Sequence, residues 1–274
     1  MSLGVVIKGP EGVVLAADSR LTLEAQNPQR SMVIPVTFDN ASKLLTFGSS
    51  DSGLNDFHRH VAAVTYGQAV IGTELNDLRT AHSFVPELVG KLGEVRLTTA
   101  RYAEVISEFF MDQWKNKMPA DYKGGAMTFV VGGIDEGEAY GKTFLFTIPF
   151  EPKPVEQSKD EFGITWGGQV EYATRLIYGH DPKLLSAIEN SLNLDSTALA
   201  LVQEAIRPFR MPVPYSILPL QDCIDYATFL IDLTTKAQSL GIGLRGVGGP
   251  IDVVTITRTE GLRFIQQKAL HGTS

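Results

Sequence analysis

The first eighteen residues constrain the fold more than any other stretch. Two apolar runs, residues 3–7 (LGVVI) and 13–17 (VVLAA), flank the turn cluster Lys8-Gly-Pro-Glu-Gly12. Short, β-branched runs around such a cluster read as two strands of a hairpin. Neither run alternates polar with apolar residues, and strands of that kind are covered on both faces. The hairpin therefore belongs inside the molecule, and the rest of the chain must cover it on two sides.

That cover comes in blocks. Residues 43–47, 61–66, 126–132, 143–148, 162–166 and 251–257 read as strands, and residues 262–266 pair back on the last of them across Glu260-Gly261. Residues 73–91, 99–117, 169–206 and 220–240 read as helices, the first broken at Pro86. In the second, Tyr102, Val105, Ile106, Phe109 and Phe110 make one apolar face, and Thr98 or Thr99 caps its start. Residues 21–41, with Asn27-Pro28 and Pro35, read as a loop with one edge strand. Residues 48–58 and 150–161 read as loops, and the prolines of 208–219 as a stiff connector. Runs of strands followed by runs of helices indicate an α+β fold with stacked layers. No linker divides the chain, so residues 1–274 are expected to form one domain.

Charge and composition remove several function classes. Thirty-one acids against 24 bases give a net charge of −7. Such a balance argues against nucleic-acid and anionic-membrane partners, which need clustered Lys and Arg. No apolar run approaches the ~20 residues of a spanning helix. No basic and apolar leader opens the chain, so a soluble cytoplasmic protein is expected. The one cysteine, Cys223, falls in an apolar helical stretch and reads as a buried thiol. His58-Arg59-His60 reads as part of a solvated loop, since no third metal ligand accompanies it. The Gly-rich run 241–250 lacks the Lys-Ser/Thr pair of a phosphate loop. No metal or cofactor is expected.

The N-terminus offers chemistry. With Met1 removed, Ser2 carries a hydroxyl and a free α-amine on one residue. An α-amine has a pKa near 8, so part of it is neutral at pH 7 and can take the hydroxyl proton. A nearby lysine lowers that pKa further, and an aspartate can hold the lysine charged. Asp18 ends the second strand, beside Ser2 if the hairpin closes at Gly9-Pro10. From spacing alone, Asp18-Ser19-Arg20 reads better as the start of a turn than as part of a site.

The segment SLGVVIKGPEGVVLAADSRLT (residues 2–22) resembles the start of a mature proteasome β-subunit, a divergent bacterial or archaeal member of that N-terminal nucleophile (Ntn) hydrolase family. There a threonine opens a hairpin that closes with Ala-Ala-Asp-Ser-Arg, at the spacing seen here from Ser2 to Asp18. Ser42-Lys43-Leu44-Leu45 is similar to the strand carrying the family lysine. Ala62-Ala63-Val64-Thr65-Tyr66-Gly67 is similar to the strand ending in the glycine of the oxyanion hole. Val130-Val131-Gly132-Gly133-Ile134-Asp135 and Gly248-Gly249 resemble later family elements, in the same order.

The resemblance implies a four-layer αββα sandwich, with two antiparallel sheets between helix layers. It implies Ser2 as nucleophile, Asp18 and Lys43 as its partners, Gly67 at the oxyanion hole, and Ser19, Gly167 and Gly168 around them. The reaction would cleave peptide or other amide bonds through an acyl-enzyme. A ring-like homo-oligomer is implied, with a regulatory ATPase as a possible partner. The chain also departs from the family: Trp166-Gly167-Gly168-Gln169 stands where a Ser-Gly-Ser motif is expected, and Leu244–Gly249 lacks the family's acid and hydroxyl. A non-catalytic ring subunit is the alternative reading.

Overall fold

The computed structural model describes residues 2–27, 32–48, 56–74, 76–181 and 183–270. The hairpin forms as expected, from β1 (Leu3–Lys8) and β2 (Val13–Asp18), with Gly9 N–H donating to the Gly12 carbonyl. Next in order are β3 (Leu21–Asn27), β4 (Met32–Phe38), β5 (Leu44–Thr46), β6 (Val61–Gly67), β7 (Val70–Ile71) and β8 (Arg79–Thr80). Two helices follow, α1 (Val85–Leu92) and α2 (Thr99–Lys117), then β9 (Met127–Gly133), β10 (Lys142–Ile148), β11 (Glu151–Gln157) and β12 (Gly163–Gly168). The chain continues through α3 (Glu171–Tyr178), α4 (Leu184–Leu192), α5 (Ser196–Ile206) and α6 (Leu220–Leu240), and closes with β13 (Ile251–Thr257) and β14 (Gly261–Gln266).

Two five-stranded antiparallel sheets dominate this mixed α and β structure. One has the order β12-β1-β2-β13-β14, the other β11-β10-β9-β6-β5. The alternation of β1 and β2 explains why both strands are apolar throughout. Val6, Val13, Leu15 and Ala17 share a core with Ala62, Val64 and Val130 of the other sheet. Their neighbours Leu3, Val5, Ile7, Val14 and Ala16 pack instead with Ala173 of α3 and Cys223, Ala227, Leu230 and Ile231 of α6. A third core joins Tyr102, Ile106 and Phe110 of α2 and Leu88 of α1 to Phe129, Val131 and Phe146 of the second sheet. Each buried Val, Leu, Ile or Phe among them stabilises the fold by roughly 1.5–3 kcal/mol, and each alanine by less. The α2 face is the one its periodicity predicted, and Thr98 Oγ1 caps it by accepting from Arg101 N–H.

Four readings of the sequence need correction. Residues 150–161 hold β11 rather than a loop. Its Pro152 and Pro154 are tolerated because β11 sits at the end of its sheet, where missing N–H donors cost little. Residues 21–41 carry two strands, β3 and β4, which pair with each other as a separate ribbon. Pro86 begins α1 instead of breaking it, since a first-turn proline sacrifices no helical hydrogen bond. Of the loop expected at 48–58, residues 49–55 lie outside the described residues, while Asp56–His58 form a single 3-10 turn. Among the described residues no helix is long and apolar enough to cross a membrane.

The fourth correction concerns His58 and His60, which are buried rather than solvated. His58 Nδ1 meets the Tyr102 hydroxyl, and His60 Nε2 lies 2.8 Å from the Leu97 carbonyl. Among the described residues, His60 Nδ1 has no hydrogen-bond partner and is buried. Desolvation lowers the pKa of both rings, and of His82. A folded pKa below the unfolded value of about 6.5 means that the unfolded chain binds more protons in acid. Stability is therefore complete above pH ~6.5 and falls as the pH drops toward the folded values. Melting temperature measured from pH 7.5 to 5 should decline below pH ~6.5, and His60→Gln should flatten part of that slope. An unchanged slope in the variant would remove His60 from the account.

Candidate active site

The site grows from the end of the hairpin. With Gly4 opposite Ala17, the start of β1 lies against the end of β2. The Asp18 carboxylate, 1% exposed, fills the junction. Its Oδ1 accepts Leu3 N–H at 3.0 Å and the Lys43 ammonium at 2.6 Å. Its Oδ2 accepts Arg20 N–H at 3.1 Å and Gly248 N–H at 3.0 Å. One carboxylate thus ties the residue after Ser2, the turn after β2, the entry to β13 and a lysine from the second sheet.

Lys43 directly precedes β5, and its carbonyl accepts Thr65 N–H, which locks it to β6. Burial pushes the pKa of its ammonium below the ordinary lysine value, while Asp18 acts in the opposite direction. Lys268 and Arg20 add their positive charges to the lowering. Gly67 ends β6 at φ +90°, a left-handed conformation, and a Cβ there would overlap the Ala126 carbonyl. Gln68 N–H donates to that same carbonyl, so the turn after β6 is pinned.

Ser2 is 3% exposed. Its carbonyl accepts Gln169 N–H at 2.7 Å. Gly168, at φ +98°, lies so close that a Cβ would overlap the Ser2 carbonyl oxygen. Ser2, Lys43 and Gly67 line one small pocket of about 20 Å³, together with Arg20, Ser42, Thr65, Tyr66 and Thr80. Asp18 sits beneath it, bonded to Lys43. The four residues singled out from the sequence are therefore brought together, with Gly167 and Gly168 along the adjoining strand.

Ser19 holds the frame. Its N–H donates to the Gly248 carbonyl, its carbonyl accepts Ala41 N–H, and its Oγ accepts from Lys268 Nζ at 3.2 Å. Lys268 forms a second buried ion pair, with Asp252. Its backbone N–H also reaches Asp252 Oδ1. Sequence reasoning missed this pair. An acid inside the apolar strand Ile251–Thr257 was a usable signal, because a buried charge needs a partner. Lys268 itself carried no signal. A third pair, Arg20 with Asp39, is bidentate at 2.6 and 2.7 Å, and hydrogen bonding from Arg20 holds the Asp39 carboxyl below the usual carboxylate range.

Chemically, the pocket combines a hydroxyl at residue 2, a buried ammonium, and a backbone turn at Gly67. These are the parts of a nucleophilic acyl-transfer site. No known family pattern matches the sequence, and no curated protein matches it. Solved structures do share the fold. The helical assembly of the Anbu complex from Pseudomonas aeruginosa matches with a TM-score of 0.54 and 15% identity, over 97% of this chain and 88% of that one. Anbu (ancestral beta-subunit) from Yersinia bercovieri matches with a TM-score of 0.51 and 18% identity, over 97% and 88%. An Anbu (Gly-1) mutant from Hyphomicrobium sp. strain MC1 matches with a TM-score of 0.52 and 17% identity, over 98% and 86%. These matches correct the resemblance read from the sequence. The three structures named here are Anbu chains, one of them described as an ancestral beta-subunit, where the N-terminal segment had suggested a proteasome β-subunit.

Proposed function

We propose that this chain is an Anbu-like N-terminal-nucleophile hydrolase that cleaves peptide or other amide bonds. The observation that carries the reading is the Asp18 carboxylate, which accepts both Leu3 N–H and the Lys43 ammonium. It fixes residue 2 and a buried positive charge in one frame at the wall of one pocket.

In this reading Met1 is removed and the α-amine of Ser2 becomes the base. The amine takes the Oγ proton as Oγ attacks the substrate carbonyl carbon. The Gly67 N–H stabilises the oxyanion, a role worth about 3 kcal/mol per donor. The C–N bond then breaks, the leaving amine takes the proton from the α-ammonium, and a serine ester remains. Water hydrolyses the ester by the same route in reverse. Lys43 lowers the pKa of the α-amine through its positive charge, and Asp18 orients Lys43.

The same reading takes residues 1–274 as one domain with its layers in the order αββα. The core shared by the two sheets and the helix-lined cores beyond them support that order. It also takes the protein as a homo-oligomer, as the matching Pseudomonas aeruginosa complex is described as a helical assembly.

The test is intact mass before and after a β-lactone acylating probe. Loss of Met1 with one adduct on residue 2, absent in Ser2→Ala, is the expected result. A retained Met1, or a free residue 2 that never acylates, would overturn the reading in favour of a non-catalytic subunit. The stretch Trp166–Gln169, without a serine hydroxyl, and the stretch Leu244–Gly249, without an acid, support that second reading.

A further inference from the structure

Lys268 turns inward from an exposed segment. Residues 266, 267, 269 and 270, at and beyond the end of β14, are exposed, yet the Lys268 side chain is only 6% exposed. Burying an ammonium is costly unless partners offset it. Two do so here. Lys268 Nζ pairs with the Asp252 carboxylate and donates to Ser19 Oγ at 3.2 Å. The backbone closes the arrangement, with Lys268 N–H donating to Asp252 Oδ1 at 2.8 Å.

This pair stands one register step from the candidate site. In the ladder between β2 and β13, Asp18 lies opposite Ile251 and Ala17 opposite Asp252. Ser19 is fully buried and follows Asp18 directly, so it stands between the two ion pairs, Asp18 with Lys43 and Asp252 with Lys268. Its backbone clamps the same junction. Ser19 N–H donates to the Gly248 carbonyl, while Gly248 N–H donates to Asp18 Oδ2. The Ser19 carbonyl accepts Ala41 N–H, from the segment that leads into Lys43. A shift of Ser19 would therefore disturb both Asp18 and the approach to Lys43. The charge of Lys268 reaches the site as well, since it helps to hold the Lys43 pKa below the ordinary lysine value. The titratable groups facing Lys268 are Asp252 of β13, Lys43 ahead of β5, and His82 of the 3-10 turn Ala81–Phe84.

We propose that Lys268 is a positioning residue for the candidate nucleophile, holding Ser19 in place beside the Asp18–Lys43 pair and adding a second positive charge behind Lys43. The proposal rests on the Ser2 reading and deepens it. Neither Lys268 nor Asp252 lines the pocket, so the pair acts through its neighbours and not on substrate. Positive charge near the α-amine favours its neutral form, which is the form that accepts the Oγ proton. Asp252 works against that effect. Loss of the lysine and loss of the acid should therefore move the amine in opposite directions.

Lys268→Met, Lys268→Arg and Asp252→Asn test this by their signs. Each would be titrated beside the parent for the rate of acylation of residue 2 by a β-lactone, from pH 6 to 9.5. Melting temperature would be recorded alongside, and rates measured below every transition. In Lys268→Met the Asp252 carboxylate stands alone, and the pH midpoint should rise by about half a unit. Acylation should then be about threefold slower at pH 7 and approach the parent's rate at pH 9.5. Lys268→Arg should bring the midpoint back, and Asp252→Asn should lower it. The His82 ring is neutral above pH ~6.5, so it adds no change of charge in the upper part of the profile. A Lys268→Met rate that falls equally at every pH would overturn the proposal and reduce Lys268 to packing. The parent's profile in Lys268→Met would overturn it as well. If Lys268→Met fails to fold, Asp252→Asn decides, and a midpoint that stays or rises overturns the proposal while leaving Ser2 as nucleophile. A parent protein that loses Met1 and never acylates would overturn the Ser2 reading, and this proposal with it.

Discussion

Lys43→Ala should abolish acylation and amide cleavage while leaving the protein folded. Activity is expected to drop about 10³-fold or more, since the change removes a buried cation beside residue 2 and the charge that tunes its amine. Stability is expected to change far less than burial alone would suggest. Breaking a buried ion pair often costs ~3–5 kcal/mol, because the remaining charge is left uncompensated. Here the Asp18 carboxylate keeps three backbone donors, from Leu3, Arg20 and Gly248. The desolvation that lowers the Lys43 pKa also disappears with the side chain. The net loss should be nearer that of one charge-assisted hydrogen bond, about 1.5–3 kcal/mol. In a chain of this size that corresponds to a fall in melting temperature of roughly 3–5 °C. Lys43→Met, which keeps most of the volume, should be equally inactive and closer to the parent in stability. The measurements are β-lactone acylation rate and thermal unfolding on the same samples. A fully active Lys43→Ala would sink the catalytic assignment.

The contrast between what the sequence shows and what it hides follows the physics of each element. The hairpin, α2 and α6 were legible because burial writes a local pattern: apolar runs for β1 and β2, and a stripe at helical spacing from Tyr102 to Phe110. Asp18 and Ser2 were legible because one tight turn connects their strands. The strands β3, β4 and β11 were hidden because prolines mimic loops, and their tolerance depends on a sheet edge that no local window contains. The Asp252–Lys268 pair was hidden for a related reason. It joins residues on either side of β14, and only the closed sheet brings the strand's acid to the segment that follows β14. Tyr66 was read as one more apolar residue of a strand. Its ring lies against Gly4 and Gly167, which are far from it in sequence and become a slot only when the sheets meet.

Asp18→Asn should be the most destabilising conservative change in the molecule. The isosteric amide replaces one carboxylate oxygen by an NH₂ donor. In one orientation that NH₂ faces Leu3 N–H and the Lys43 ammonium; in the other it faces Arg20 N–H and Gly248 N–H. Either way two buried donors confront a third, and Lys43 loses its counter-charge. A stranded buried charge alone costs ~3–5 kcal/mol, and each orphaned N–H adds about 1–3 kcal/mol. The expected fall in melting temperature is therefore at least about 10 °C. The double variant Asp18→Asn with Lys43→Met gives the decisive comparison, because removing the cation removes the stranded charge but not the orphaned amides. It should be clearly less destabilised than the sum of the two single variants, by ~1.5–3 kcal/mol of coupling. Strict additivity would show that Asp18 and Lys43 are neighbours without being a pair. The carboxylate would then serve the backbone of the hairpin alone, and the electrostatic link between residue 2 and Lys43 would have to be abandoned.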